Sequence, residues 1–350
     1  MHLQPTSSDA GSGRIGENLP DAGLAPVLPL RAAPPVRRAV IDVGTNSTKL
    51  LVADIAGRDI RPLLEESKQT RLGRGFYEMR RLQPEAVERT ADAVARFAAT
   101  ARQWRAESVR VVATSAARDA VNARDLIAAI EQASGLRAEI ISGEQEADWA
   151  FQGVTSDPEL AQQPLLLLDV GGGSTQFILG QGAHKHFRHS FPLGAVRLIE
   201  KIPHSDPPTH HEFAACRKWL KDFLDAEVRS KLEPTLHRET KLNAATGPIL
   251  LVGTGGTTSI LARMEARLDT FDRARIEATR LSLEQIRAQL KRLWSLPLAE
   301  RKQIAGLPKK RADVILTGGV IYEAVMEQFG FNELRVSTRG LRFAAVMDEA

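Results

Sequence analysis

Cysteine is almost missing from this chain: Cys216 is the single one in 350 residues. No internal disulfide can form, and the expectation is a reducing, cytoplasmic setting. Aromatic residues are scarce too, at 5%, which argues against stacking platforms for single-stranded nucleic acid. Neither charge sign dominates. Lys and Arg number 47 against 43 Asp and Glu, a formal +4, which is too slight for a nucleic-acid stripe yet compatible with a polyanionic ligand. No apolar run reaches the roughly 18 residues that a spanning helix needs, so no membrane partner is expected. What the chain has is ample apolar material, 43%, over a length that suits two domains of roughly 100–200 residues.

Residues 1–35 stand apart, with six of the 18 prolines and no lasting apolar period. They read as a disordered tail. From Arg38 the pattern is α/β. The runs 39–44 and 49–55 flank Gly-Thr-Asn-Ser and read as a hairpin. A helix follows over 84–105, a strand over 109–114, a helix over 125–133 and a strand over 138–142. Ser142 with Gln145 is a capping-box start for a helix through about Val154. A second block opens with the strand 165–170, a GGGST turn and a return strand 176–180. Helices are expected near 193–202, 209–228, 282–294 and 311–328, with strands at 249–252 and 334–337 and a last helix. The segment 229–248 gives only weak signals.

One feature organises the rest. VIDVGTNST (40–48) and LLDVGGGST (167–175) match at Asp, Val, Gly, Ser and Thr, 127 residues apart. At that spacing the repeat signals a duplicated domain and not a solenoid. Glycine lets the backbone turn tightly against a ligand. Successive N–H groups and the Ser/Thr hydroxyls then make an anion-binding concavity. Two such loops facing one another would grip adjacent phosphates, with a metal between Asp42 and Asp169. One Asp-x-Gly alone is an ordinary turn; two copies with five shared residues are not. A third cluster, Gly253 to Thr257, joins a strand to a helix and fits phosphate contact at a helix start.

These stretches, with RLG (71–73), ATSAARDAVN (113–122), IISGEQEA (140–147), FPLGAVRL (191–198) and RADVILTGG (311–319), resemble the exopolyphosphatase/guanosine pentaphosphate phosphohydrolase (Ppx/GppA) family of the actin-like ATPase superfamily. The resemblance runs from about 38 to 346. It implies an α/β fold of two actin-like (ribonuclease H-like) domains with an active-site cleft between them. The expected bounds are 36–149 and 150–334, with the helix in 335–350 returning to the first domain. It implies Glu146 as the general base, and Arg118, Asn46, Ser47, Gly172, Gly173, Ser174, Gly255 and Gly256 as phosphate contacts. Asp169, position 176 and Asp42 would hold Mg²⁺, with a monovalent cation such as K⁺ as an alternative. The family's second loop normally ends Ser-Thr-Glu, whereas this chain has Gln176, which removes one negative charge from the metal site. Lys49 stands at the matching place in the first loop. Arg339 and Phe343 also depart from the family pattern.

The activity so implied is release of orthophosphate from inorganic polyphosphate, or removal of the 5′ γ-phosphate of guanosine pentaphosphate, in a homodimer. An ATP-dependent kinase fits less well with Glu146 and the Arg118 run, and Gln176 keeps a low-turnover sensor in view. The remaining motifs have plainer readings. His184, His186 and His189 are taken as exposed hairpin residues without a zinc site, Cys216 as a buried small apolar residue, and the basic helix 280–294 as a packed one.

Overall fold

The computed structural model describes residues 34–348 apart from Thr246. The expected tail lies, up to residue 33, outside the described residues.

Two hairpins carry the architecture. The first pairs β1 (Val36–Val43) with β2 (Thr48–Ala56), and β3 (Asp59–Lys68) continues antiparallel along β2. Strands β4 (Ser108–Ala113) and β5 (Ala138–Ile140) then add in parallel, giving the order β3-β2-β1-β4-β5. The second half repeats this plan. Strands β6 (Leu165–Val170), β7 (Thr175–Gln181), β8 (His184–Phe191) and β9 (Leu250–Thr254), with β10 (Arg280–Ser282) and β11 (Glu333–Val336), form a sheet ordered β10-β11-β9-β6-β7-β8. Read from β8, the order 8-7-6-9-11 is that of the first sheet, with β10 as an added edge. The sequence repeat is thus a repeat of topology.

Three elements differ from expectation. β3 was not foreseen, because DIRPLLEESK does not alternate cleanly. It is an edge strand, and Pro62 sits beside a bulge in its pairing with β2, where proline is tolerated. The three histidines lie within β8 and not between strands; His184 and His186 do share its exposed face. No group of three or more His, Cys, Asp or Glu side chains able to hold a metal ion forms among the described residues. The weak segment after 229 continues a helical run: His210–Phe223 passes through a π-turn at Leu224–Arg229 into Ser230–Leu242. Pro234 and a mostly polar face hide it, but Leu232 and Leu236 point inward.

The helix Gly143–Val154 is the structural wedge. Its Trp149 packs with Val40, Leu51 and Val112 of the first sheet, while Ala147, Ala150, Phe151 and Val154 pack with Leu165, Leu167 and Ile178 of the second. Ser142 caps it by accepting from the Gln145 N–H at 3.0 Å. The terminal helix Leu341–Ala345 packs on the first sheet through Leu341, Phe343 and Ala344. Just before it the chain crosses the wedge helix. A methyl group on Gly153 would lie 2.1 Å from the Gly340 carbonyl oxygen, so position 153 needs glycine's bare backbone. Cys216 is fully buried, and the helix Leu283–Ser295 buries Ile286, Leu290 and Leu293. Gly318 and Gly319 allow the close packing of the helix Ile315–Phe329 on Thr257 and Leu290. Among the described residues no helix is long and apolar enough to cross a membrane.

Candidate active site

The two β-turns of the repeat are built alike. Gly44 N–H donates to the Ser47 carbonyl at 3.0 Å, and Gly171 N–H donates to the Ser174 carbonyl at 2.9 Å. Each loop is braced from behind through its carbonyls. Thr45 and Asn46 accept from Gly73 and Arg71 at 2.8 and 3.0 Å; Gly171 and Gly172 accept from Ala195 and Val196 at 3.0 and 2.8 Å. Holding the carbonyls outward leaves the N–H groups of Thr45, Asn46, Gly172 and Gly173 without a protein acceptor among the described residues. That is an anion nest. The loops also touch: a methyl on Gly172 would lie 3.0 Å from Thr45 Cβ, and one on Gly173 2.5 Å from both Ser115 Oγ and Tyr77 Oη. Ser47 Oγ and Ser115 Oγ are buried there with no hydrogen-bond partner, as donors waiting for a ligand oxygen would be.

The cleft between the loops is lined by eleven of the twelve residues expected from the sequence: Asp42, Asn46, Ser47, Glu146, Asp169, Gly172, Gly173, Ser174, Gln176, Gly255 and Gly256. Arg118 is not in the wall; it reaches the cleft through Glu146. Its Nη1 donates to Glu146 Oε2 at 3.0 Å and to the Ile141 carbonyl at 3.1 Å. It does not pair with Asp119 or Asp125, the plainer partners in sequence. Glu146 is 8% exposed, and burial, opposed by Arg118 and reinforced by Asp169 and Asp42, pushes its carboxyl up to about 7. Glu144, one turn-fraction away, faces outward to Arg188 at 3.3 Å.

Asp42 and Asp169 close the floor. Burial raises Asp169 to about 6, with Lys49 opposing and Asp42 reinforcing; burial also raises Asp42, against Lys49 and Arg342. The repeat places Lys49 directly across from Asp42 and Gln176 directly across from Asp169. Gln176 Nε2 donates to Ser174 Oγ and Ser190 Oγ at 2.9 and 3.0 Å, which leaves its amide oxygen as the end able to ligate. Two carboxylates, an amide oxygen and unpartnered hydroxyls are hard oxygen donors and fit a magnesium-sized cation, though Lys49 already supplies part of the countercharge. Gly255 adopts φ +90, and a methyl there would lie 2.6 Å from Asp169 Oδ1, so glycine alone lets this third loop reach the floor.

Three side chains escaped sequence reasoning. Arg311 lines the cleft beside Gly256, and burial pulls its guanidinium down to about 10. Within a KKR run it reads as a solvated cation, and nothing local marks it. Arg197 donates from Nε to the Gly173 carbonyl at 2.8 Å and from Nη2 to Asp119 at 2.7 Å, while its guanidinium lies 4.3 Å over the Tyr77 ring. Glu200, one turn on, accepts from the backbone N–H groups of Gly75 and Tyr77 at 2.6 and 3.1 Å. Together they clamp the second loop to the Arg118 helix (Ser115–Asp119) and to the 71–83 segment. Arg339, by contrast, turns away from the cleft to Ser156 at 3.1 Å.

Two facing glycine loops, buried carboxylates and a wedge helix bearing an acid define a two-lobed enzyme of the phosphate-handling kind. The sequence matches the Ppx/GppA phosphatase family over residues 51–350, and the chain belongs to that family. It is 35% identical over 316 residues to exopolyphosphatase 2 of Mycobacterium tuberculosis, covering 86% of this chain and 94% of that one. It is 28% identical to a guanosine-5′-triphosphate,3′-diphosphate pyrophosphatase of Photobacterium profundum, covering 92% of this chain and 60% of the relative. The Aquifex aeolicus PPX-GPPA enzyme superposes with a TM-score of 0.70 at 30% identity, covering 90% of this chain and all of that one. The expected α/β fold of two actin-like halves is thereby established.

Proposed function

We propose that the chain is an exopolyphosphatase, releasing terminal orthophosphate from inorganic polyphosphate. The terminal phosphate lies between the two loops, with its oxygens on the N–H groups of Thr45, Asn46, Gly172 and Gly173. Glu146 takes a proton from a water as that water's oxygen attacks phosphorus. The bridging P–O bond breaks, and the shortened chain leaves as an anion. Such transfers depend on positioning and charge stabilisation, and a base titrating near 7 suits proton transfer at neutral pH. Arg118, held against Glu146, orients the carboxylate and offers its guanidinium to a phosphate oxygen. Asp42, Asp169 and the Gln176 amide oxygen would hold Mg²⁺, whose charge would offset that of the phosphates.

The observation that carries this reading is the place of Glu146, buried on a helix between two phosphate-loop lobes and ion-paired to Arg118. The test is phosphate release from long-chain polyphosphate with Mg²⁺, comparing the protein with Glu146→Ala. Release that collapses by about 10²-fold or more supports the assigned base. Release that survives Glu146→Ala refutes it. Hydrolysis of guanosine pentaphosphate without hydrolysis of polyphosphate favours the activity named for the Photobacterium relative. Binding of either without turnover favours a sensor, the role to which Gln176 lends support.

A further inference from the structure

Arg311 enters the cleft wall with its charge unspent: it lies beside Gly256 and makes no ion pair among the described residues. The acid best placed to neutralise it is Asp313, two residues further on, whose charge bears on Arg311 more than any other carboxylate's. Asp313 is engaged elsewhere. Its Oδ1 accepts from the Val314 N–H at 2.9 Å, and its Oδ2 pairs with Arg71 Nη2 at 2.8 Å. Arg301, which also feels Asp313, has an acid of its own in Asp206 at 3.3 Å. Neither Arg71 nor Asp313 lines the cleft, so the pair can reach a bound phosphate only through Arg311.

The two partners come from opposite halves. Arg71 follows β3 of the first sheet, while Asp313 precedes the helix Ile315–Phe329 of the second half. The backbone at Arg71 is left-handed, with φ +53, a region that arginine seldom adopts. That turn aims its N–H at the Asn46 carbonyl, 3.0 Å away behind the first phosphate loop, while its side chain crosses to Asp313. Building on the polyphosphate reading, we propose that Arg71 and Asp313 are positioning residues for phosphate binding. Arg71 occupies Asp313 and so keeps the Arg311 guanidinium free for a phosphate oxygen, where a charge-assisted hydrogen bond is strong. Without Arg71, Asp313 turns to Arg311 and neutralises it. Because the pair spans the two halves, the cleft has its full positive charge only while the halves are together.

The test is equilibrium binding of pyrophosphate, the shortest probe with two phosphoryl groups, to the full chain on the Glu146→Gln background. Arg71→Gln is expected to weaken binding by about tenfold or more, a loss of ~1.4 kcal/mol. Adding Asp313→Asn should restore affinity to within about threefold of the parent, because no acid is then left to capture Arg311. Asp313→Asn alone, whose amide oxygen can still accept from Val314, should bind at least as tightly as the parent. A loss that persists in the double variant overturns the proposal, since Arg71 would then be bracing the loop or meeting phosphate itself. So does undiminished affinity in Arg71→Gln, or weakened binding in Asp313→Asn alone. Once Arg311→Gln has removed the guanidinium, Arg71→Gln should cost nothing more, and a further loss refutes the coupling. Binding needs no turnover, so the two readings fail separately. Rescue without any polyphosphate hydrolysis by the native chain keeps the coupling and removes the enzyme; hydrolysis without rescue does the reverse.

Discussion

Glu146→Gln is expected to stabilise this protein while disabling it. In the fold, the carboxyl has moved from an ordinary 4.5 to about 7, so ionising it there costs about 3 kcal/mol more than in the unfolded chain. The folded state holds its proton to higher pH than the unfolded state does. Between pH 4.5 and 7 the native protein therefore binds more protons, and this group makes stability fall as pH rises across that window and level off above it. Glutamine imitates the protonated acid: its amide oxygen can still accept from Arg118 Nη1, now at 3.0 Å from Glu146 Oε2. The variant should therefore gain up to about 3 kcal/mol over the native chain at pH 8 and almost nothing at pH 4. Urea unfolding of both proteins at pH 4, 6 and 8, without metal or phosphate, measures the difference directly. Equal stability at pH 8, or a less stable variant, would refute the argument that burial of this carboxylate is a cost borne for chemistry. Its phosphatase activity should fall by about 10²-fold or more.

Two further outcomes follow from the same floor and walls. Gln176→Glu places a carboxylate across from Asp169, and even at an effective dielectric of 20 a charge ~4 Å from a cation is worth several kcal/mol. Binding of Mn²⁺ without substrate, read by electron paramagnetic resonance, should tighten by at least about tenfold; an unchanged dissociation constant would show that position 176 is not a ligand. Arg197→Lys keeps the charge but loses the fork that joins Gly173 to Asp119 and the stacking on Tyr77. Because small misplacements of a phosphate loop are costly, kcat should drop by about tenfold or more with little change in KM, and native-like kinetics in this variant would remove Arg197 from any positioning role.

Much of the fold was legible because its strongest sequence signal, the repeat, is also its strongest structural constraint. Five shared residues in VIDVGTNST and LLDVGGGST correspond to two turns with the same closing hydrogen bond and two sheets with the same strand order. Buried strands such as LLLLDV announce themselves as unbroken apolar runs. Edge strands do not, and β3 passed unnoticed. The site divides along a similar line. Loop residues were found because glycine, serine and threonine at fixed spacing carry a local mechanism, and Glu146 because its surrounding motif resembled a family. Arg311 and Arg197 act across the fold: Asp119, the partner of Arg197, is far from it in sequence, and the cleft that Arg311 lines is assembled from eight separate stretches of the chain. Arg118 shows the limit well. Its sequence neighbours Asp119 and Asp125 were the plain partners, yet the wedge helix brings Glu146 to it instead.

The meeting of Gly153 with Gly340 carries a consequence for how substrate enters and product leaves. The polypeptide passes from the first half to the second just after Gly153 and returns just before Gly340, so the whole second half is an insertion whose entry and exit lie side by side. The end of the wedge helix and the loop before the last helix, meeting at Gly153 and Gly340, make a narrow axle, and a hinge needs only a few residues to absorb a turn. Rotation about it is expected to leave both cores intact while parting the loop at Thr45 from the loop at Gly172. Opening of this kind has to break contacts that join the halves elsewhere, such as Glu200 on Gly75 and Tyr77, so side chains that take no part in the chemistry would set the cost of access to the cleft.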